Sequence, residues 1–268
     1  MPGKSAHFLH QQAALEAVLV APVEQPRAMS WVGTRELLLV ATHDGTIAAV
    51  EPAFGTRRLF QSVPEPVHIS TFGGDVLVLA RDGTLERWNL ADKVRLWSLS
   101  TGLIGNQGVR VSPTEIACIG DDAQARREVV VIDLDGSERE RLPVPSRTTL
   151  GVGDDSTFLL ARSTESGLRI VPLGQSIDDG VPSTAHALRF SPGGGVVGVA
   201  SGGVAVWTSA GGSARTVRMP DAVNAALHAD GHTLAVGTRD GNVAIADIDA
   251  PAADRARPPR VQAHEGPV

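Results

Sequence analysis

With 268 residues, 42% of them hydrophobic and 20% charged, the chain has enough apolar material for a large core and does not read as disordered. Its net charge of −6 leaves no basic stripe of the kind nucleic acid needs, and no nucleic-acid partner is expected. No run of 18 apolar residues is present, so no membrane-spanning helix is expected, and the lone Cys118 can form no internal disulfide.

Residues 3–13, GKSAHFLHQQA, read as a terminal arm or a short helix capped by Ser5. Gln11, Gln12 and Glu16 interrupt any apolar stretch of a secretory signal, so a soluble cytoplasmic protein is expected. Arginines outnumber lysines 22 to 2, a bias that suggests a GC-rich bacterial gene. From residue 14 to 268 one pattern recurs about every 40 residues: an apolar run, a tight turn and a second apolar run. The copies are LLLVATHDGTIAAVE (37–51), VLVLARDGTLERWN (76–89), EIACIGDDAQARREVVVID (115–133), TFLLARSTESGLRIVP (157–172), VVGVASGGVAVWT (196–208) and TLAVGTRDGNVAIAD (233–247). A unit this short cannot bury its own apolar face, so the copies must pack on one another as an array.

Within a copy the chemistry is that of strands. TLAVGTR (233–239) alternates apolar with small or polar residues, and Asp240-Gly241 is a two-residue hairpin signal before NVAIADI (242–248). Asp44-Gly45 and Asp82-Gly83 hold the same place, with 38 residues from Asp44 to Asp82, and Gly202-Gly203 substitutes for the pair in the fifth copy. Asp44, Asp82 and Asp240 are therefore assigned as structural turn residues. The expected fold is all-β, with four-stranded antiparallel units in repeats near 27–65, 66–106, 107–146, 147–184, 185–222 and 223–262.

These residues resemble the WD-repeat β-propeller family over roughly residues 14–268. Trp88-Asn89 and Trp207-Thr208 keep the tryptophan of its closing pair; Ile132-Asp133 and Ala246-Asp247 keep the aspartate. Asp44, Asp82 and Asp240 match its turn aspartate, and Ser191-Pro192-Gly193 and Ala229-Asp230-Gly231 match its earlier turn. The resemblance implies a propeller with six recognisable blades whose side-chain network is incomplete, so apolar packing is expected to hold the blades together. Residues 16–31 align with 57–70, and 263–268 read as the start of a further repeat. Either residues 16–20 close a six-bladed ring in the sixth copy, or a seven-bladed parent is truncated; the second reading is preferred.

Local chemistry motifs do not survive their context. GGGVVG (193–198) fits a dinucleotide fingerprint but runs into a strand rather than a helix. Asp133-Leu134-Asp135-Gly136-Ser137 lacks the third aspartate and the glutamate of a calcium loop, and His7 and His10 have no further ligand nearby. The acidic pairs 121–122, 154–155 and 178–179 are assigned to solvated loops, and Cys118 to the core. No metal, cofactor or catalytic residue is assigned.

A partner site is expected where the first strand of each unit begins. Counting along the repeats places Ala28, His68, Arg110, Thr148, His186 and Asn224 in one layer. His68, Arg110, His186 and Asn224 are the candidate partner-binding residues, with Arg110 as anchor. Leu103 and Ile104 are expected to be exposed in a bordering loop, 101–107. The function expected is a non-enzymatic protein–protein interaction scaffold that binds a protein or peptide. The alternatives are a propeller enzyme of the metal-dependent hydrolase or lactonase type, and a sensor propeller of a larger signalling or ATPase-associated protein.

Overall fold

The computed structural model describes residues 25–32, 37–51, 55–153, 155–164, 167–177, 186–190, 195–200, 203–207, 215–219, 221–228, 231–249 and 260–262. The expected N-terminal arm, residues 16–20, His7, His10 and the 263–268 segment lie outside these. Among the described residues every regular element is a strand. The chain divides into two compact units, residues 1–109 with 120–125 and 130–140, and residues 110–119 and 126–129 with 141–268.

In the first unit, one sheet runs β1 (Pro26–Trp31), β2 (Leu38–Thr42), β3 (Thr46–Glu51) and β4 (Gly55–Gln61) in chain order. The next runs β5 (Pro66–Phe72), β6 (Asp75–Ala80), β7 (Thr84–Asn89) and β8 (Val94–Ser100). A third sheet runs β9 (Ile104–Val111), β10 (Glu115–Asp121), β11 (Arg127–Asp133) and β12 (Glu138–Pro143) in chain order. The second unit holds β13 (Thr149–Val152), β14 (Phe158–Thr164) and β15 (Gly167–Pro172), then β16 (His186–Phe190), β17 (Val196–Ala200), β18 (Gly203–Trp207) and β19 (Arg215–Arg218). It also holds β20 (Ala222–Leu227), β21 (Thr233–Thr238), β22 (Asn242–Asp247) and β23 (Arg260–Gln262). The register is antiparallel throughout the paired strands, as expected when hairpin turns join successive strands. The fourth sheet shows three strands among the described residues. The outer strand of the sixth comes from its own repeat, Val243 facing Val261.

The second strands of the first two sheets are buried on both faces. All of β2 and β6 is buried, so their Val- and Leu-rich runs read as continuous rather than alternating. Leu39 and Ala41 join a cluster with Ile69, Val76 and Val78 of the neighbouring sheet, while Leu38, Val40 and Val50 form a separate cluster. In the second unit Val197, Val199, Val204 and Val206 pack with Leu227, Leu234 and Val236. Each fully buried Leu or Val contributes roughly 1.5–3 kcal/mol. Cys118 lies within β10, fully buried, and desolvation pushes its thiol up to about 12, so it is inert packing.

Apolar packing is not the whole joint between the first two sheets. Buried Glu86 of β7 accepts from Ser62 Oγ at 2.7 Å, from Trp88 Nε1 at 2.9 Å and from Arg95 Nη1 at 2.7 Å. Ser62 precedes β5, so this carboxylate ties one sheet to the next. Trp88 in turn stacks on Phe60 of β4, with ring centroids 4.5 Å apart. The expected apolar packing is present, and at this joint Glu86 adds a polar centre. A second tie reaches the β11–β12 turn, where the Leu134 carbonyl accepts from Trp97 Nε1 at 2.9 Å and from Arg87. Backbone groups form a third: His43 N donates to Gln25 O, Glu65 N to His43 O and Arg81 N to Glu65 O.

Candidate partner-binding site

The turn aspartates organise the β2–β3 type of hairpin. Asp44 Oδ1 accepts the Thr46 amide at 3.0 Å and its Oδ2 accepts the Thr46 hydroxyl at 3.0 Å, while the Thr42 hydroxyl also reaches Oδ1. Asp82 accepts the Thr84 amide at 2.9 Å, and Asp240 accepts from the Thr238 hydroxyl and from Asn242 Nδ2. Asp135 and Asp155 bind the amides two residues on in the same way. The partnering threonines 42, 46 and 238 escaped the sequence reading, although the spacing Thr-x-Asp-Gly was visible.

The Thr42 hydroxyl, then the Thr46 amide and hydroxyl, lower the Asp44 carboxyl from 3.8 to about 2. A carboxyl depressed in the folded state stabilises above its unfolded value and loses that contribution as pH falls through the folded one. Stability from this turn is therefore present above pH 3.8 and fades toward pH 2. In Asp44→Asn, urea unfolding over that window should show a shallower acid loss than the parent; an identical slope would refute the assignment.

The leading strands β1, β5 and β20 share a bulge at one place. Pro26 faces Thr42 but Ala28 faces Ala41; Pro66 faces Ala80 but His68 faces Leu79; Ala222 faces Thr238 but Asn224 faces Gly237. Ala28, His68 and Asn224 thus hold one register position, the first after the extra residue. His186, facing Val199, opens β16; its side chain lies outside the description. Thr148 is buried and stands before β13, its hydroxyl donating to Pro145 O at 2.7 Å.

Arg110 does not belong to that layer. The turn amides that close the leading strands give a common origin: Ser112 N donates to Glu115 O, Gly153 N to Thr157 O and His228 N to Thr233 O. Asn224 stands four residues before its turn amide, but Arg110 stands two before. Its equivalents are Gly151 and Ala226. Arg189 holds the same place, because it faces Val197 as Ala226 faces Ala235, 38 residues on. The sequence reading missed Arg189, since a bulge of one residue is invisible in a strand that lacks turn chemistry.

The second unit therefore brings together Arg189 and Asn224, with Arg110 at the level of Arg189 on β9. Arg110 is half-buried on β9, and burial followed by the nearby Arg189 charge lowers its guanidinium from the ordinary value. Exposed Arg189 donates through Nε to Asn224 Oδ1 at 3.1 Å, and the same oxygen accepts the Ala225 amide at 2.9 Å. His68 is half-buried in the first unit. The bordering loop is also corrected: β9 begins at Ile104, and Leu103 is buried because the Thr101 hydroxyl fastens both Gly83 O and the Leu103 amide. Ile104 is exposed at 44%. Asp122, placed in a solvated pair, is buried and accepts the Gln124 amide at 2.8 Å. Among the described residues no three His, Cys, Asp or Glu side chains gather as a metal site.

A family model described as outer membrane protein assembly factor BamB matches residues 19–166, more than half of the chain. The chain belongs to that family. No curated protein sequence matches it. Among solved structures, "KlHsv2 with loop 6CD replaced by a Gly-Ser linker" aligns with a TM-score of 0.59 and 13% identity, covering 84% of this chain and 78% of that one. Kluyvelomyces marxianus Hsv2 aligns with a TM-score of 0.61 and 12% identity, covering 85% and 74%. Both are β-propellers, and at such identity they establish the fold alone. The all-β sheets described above are blades of a β-propeller.

Proposed function

We propose that this propeller is a non-enzymatic interaction platform for a protein partner, built on WD-type repeats. The observation that carries the reading is the family match: its description names an assembly factor, a protein that works on other proteins. The geometry supports it. Arg189 and Asn224 come from leading strands of different blades and are held by a hydrogen bond, which sets a polar surface in place before any partner arrives. Placement in the cytoplasm rests on the polar Gln11, Gln12 and Glu16 among the first twenty residues; recovery of the chain with the outer membrane on cell fractionation would tie it instead to the process named in the family description.

The deciding experiment is crosslinking in cells, recovery of the tagged chain, and reconstitution with the purified protein found. A stoichiometric complex is expected. Purified chain that carries stoichiometric metal and turns over lactone or ester substrates would sink the platform reading in favour of a propeller enzyme.

A further inference from the structure

We propose that β8 is a self-association edge, through which two copies of this chain pair their β8 strands antiparallel about a two-fold axis. The inference goes beyond the platform reading and concerns a different surface. β8 closes its sheet, with β7 on one side and no strand on the other among the described residues. Every second residue of such a strand turns its N–H and C=O away from the sheet, a template for another strand. Natural sheets blunt that template with charge, proline or a bulge. The other outer strands follow this rule. β4 exposes Arg57 and Arg58, β19 exposes Arg215 and Arg218, and β12 is charged at every position from 138 to 141 and ends on Pro143. β8 reads Val94-Arg95-Leu96-Trp97-Ser98-Leu99-Ser100, a single charge in seven residues. That charge is already engaged, since Arg95 Nη1 donates to the buried Glu86 carboxylate at 2.7 Å.

The apolar side chains of β8 are turned outward: Val94 is 55% and Leu96 49% exposed. Its one protective device is a bulge at Leu96, where Arg87 faces Trp97 but Trp88 faces Arg95. Beyond it Trp97, Ser98, Leu99 and Ser100 keep an unbroken register with β7, long enough to seat a second strand. Charge decides what that strand is. β4, β12 or β19 of another copy would carry arginines or glutamates into the seam, whereas β8 of another copy brings only the engaged Arg95. Antiparallel pairing also lays the start of one β8 beside the end of the other. Lys93 and Arg95 of each copy then lie toward the serines of its mate, and like charges stay apart. The segment is close to neutral, because Asp92 offsets Lys93 and Glu86 offsets Arg95. The net charge of −6 therefore opposes association only at long range, where salt screens it.

The test is sedimentation velocity of the purified chain over a dilution series at low and at moderate salt. Dimers should form and dissociate on dilution, and association should tighten as salt rises. Leu96→Lys and Ser98→Lys each put two like charges into the seam, because a two-fold contact doubles every substitution. Each should weaken the dimer at least about tenfold. Both residues are exposed, so the circular dichroism and thermal melts of these variants should match the parent. A peptide with the sequence of residues 94–100 should split the parent dimer, and the same peptide N-methylated at alternate residues should not. That measurement needs no variant, which keeps the test open should a substitution unfold the chain. A parent that is monomeric at every concentration overturns the proposal. So does a dimer that survives both lysine substitutions, which places the contact elsewhere. A dimer that weakens as salt rises points to the charged outer strands instead, and equal displacement by the two peptides shows a contact without strand pairing; either result overturns it.

Discussion

Glu86→Ala is expected to destabilise the protein by about 3 kcal/mol in urea unfolding, among the larger losses available to a single side chain. The carboxylate is 1% exposed and holds Ser62, Trp88 and Arg95 at once. Its removal leaves the Trp88 indole N–H and the Ser62 hydroxyl without the acceptor around which they are arranged. A methyl group also leaves a void under the Phe60–Trp88 stack. Glu86→Gln keeps an oxygen in place and should cost less. Arg95→Ala should cost least, because Arg95 is half exposed and water can replace it. A loss below about 1 kcal/mol for Glu86→Ala would show that the carboxylate is incidental to the joint.

Gly45→Ala should cost a comparable amount, about 3 kcal/mol, by a different route. Gly45 has φ +87°, a region that costs an L-residue roughly 1–2 kcal/mol. A Cβ there would also stand 2.6 Å from Ser62 O and closer still to Val63 O, and backbone cannot swing aside. Gly74 is the internal control. It has φ +90°, yet nothing lies within 4 Å of its added Cβ. Gly74→Ala should therefore cost about 1 kcal/mol, the strain alone. Equal losses at the two positions would mean that the β2–β3 turn is not clamped against the chain entering β5.

Much of the fold was legible in the sequence because its signals are local. Asp-Gly at 44–45, 82–83 and 240–241 states a turn through αL chemistry, and the apolar runs on either side state the strands. What failed was whatever depends on register or on distant partners. The bulge before Ala28, His68 and Asn224 leaves no mark in residue type, so Arg110 was aligned one layer away from Arg189. Glu86 gave only a faint signal, a lone carboxylate between Leu85 and Arg87 in a strand otherwise read for its apolar residues. Leu103 reads as a loop residue in the sequence because the Thr101 hydroxyl that fastens it acts through tertiary structure.

The run of amides and carbonyls from Gln25 through His43 and Glu65 to Arg81 has an evolutionary meaning. A joint made of main-chain atoms is blind to side-chain identity, and Asp221 with Arg239 repeats its last step in the second unit. Mutations can then erase signature residues one blade at a time without loosening the seam between blades. Such a lineage can drift far while its architecture stays put, which is how a chain that shares 13% of its residues with another propeller still superposes on it. The same indifference suggests a use in engineering: the side chain at position 43 can be rewritten for a new partner while the main-chain seam beneath it holds.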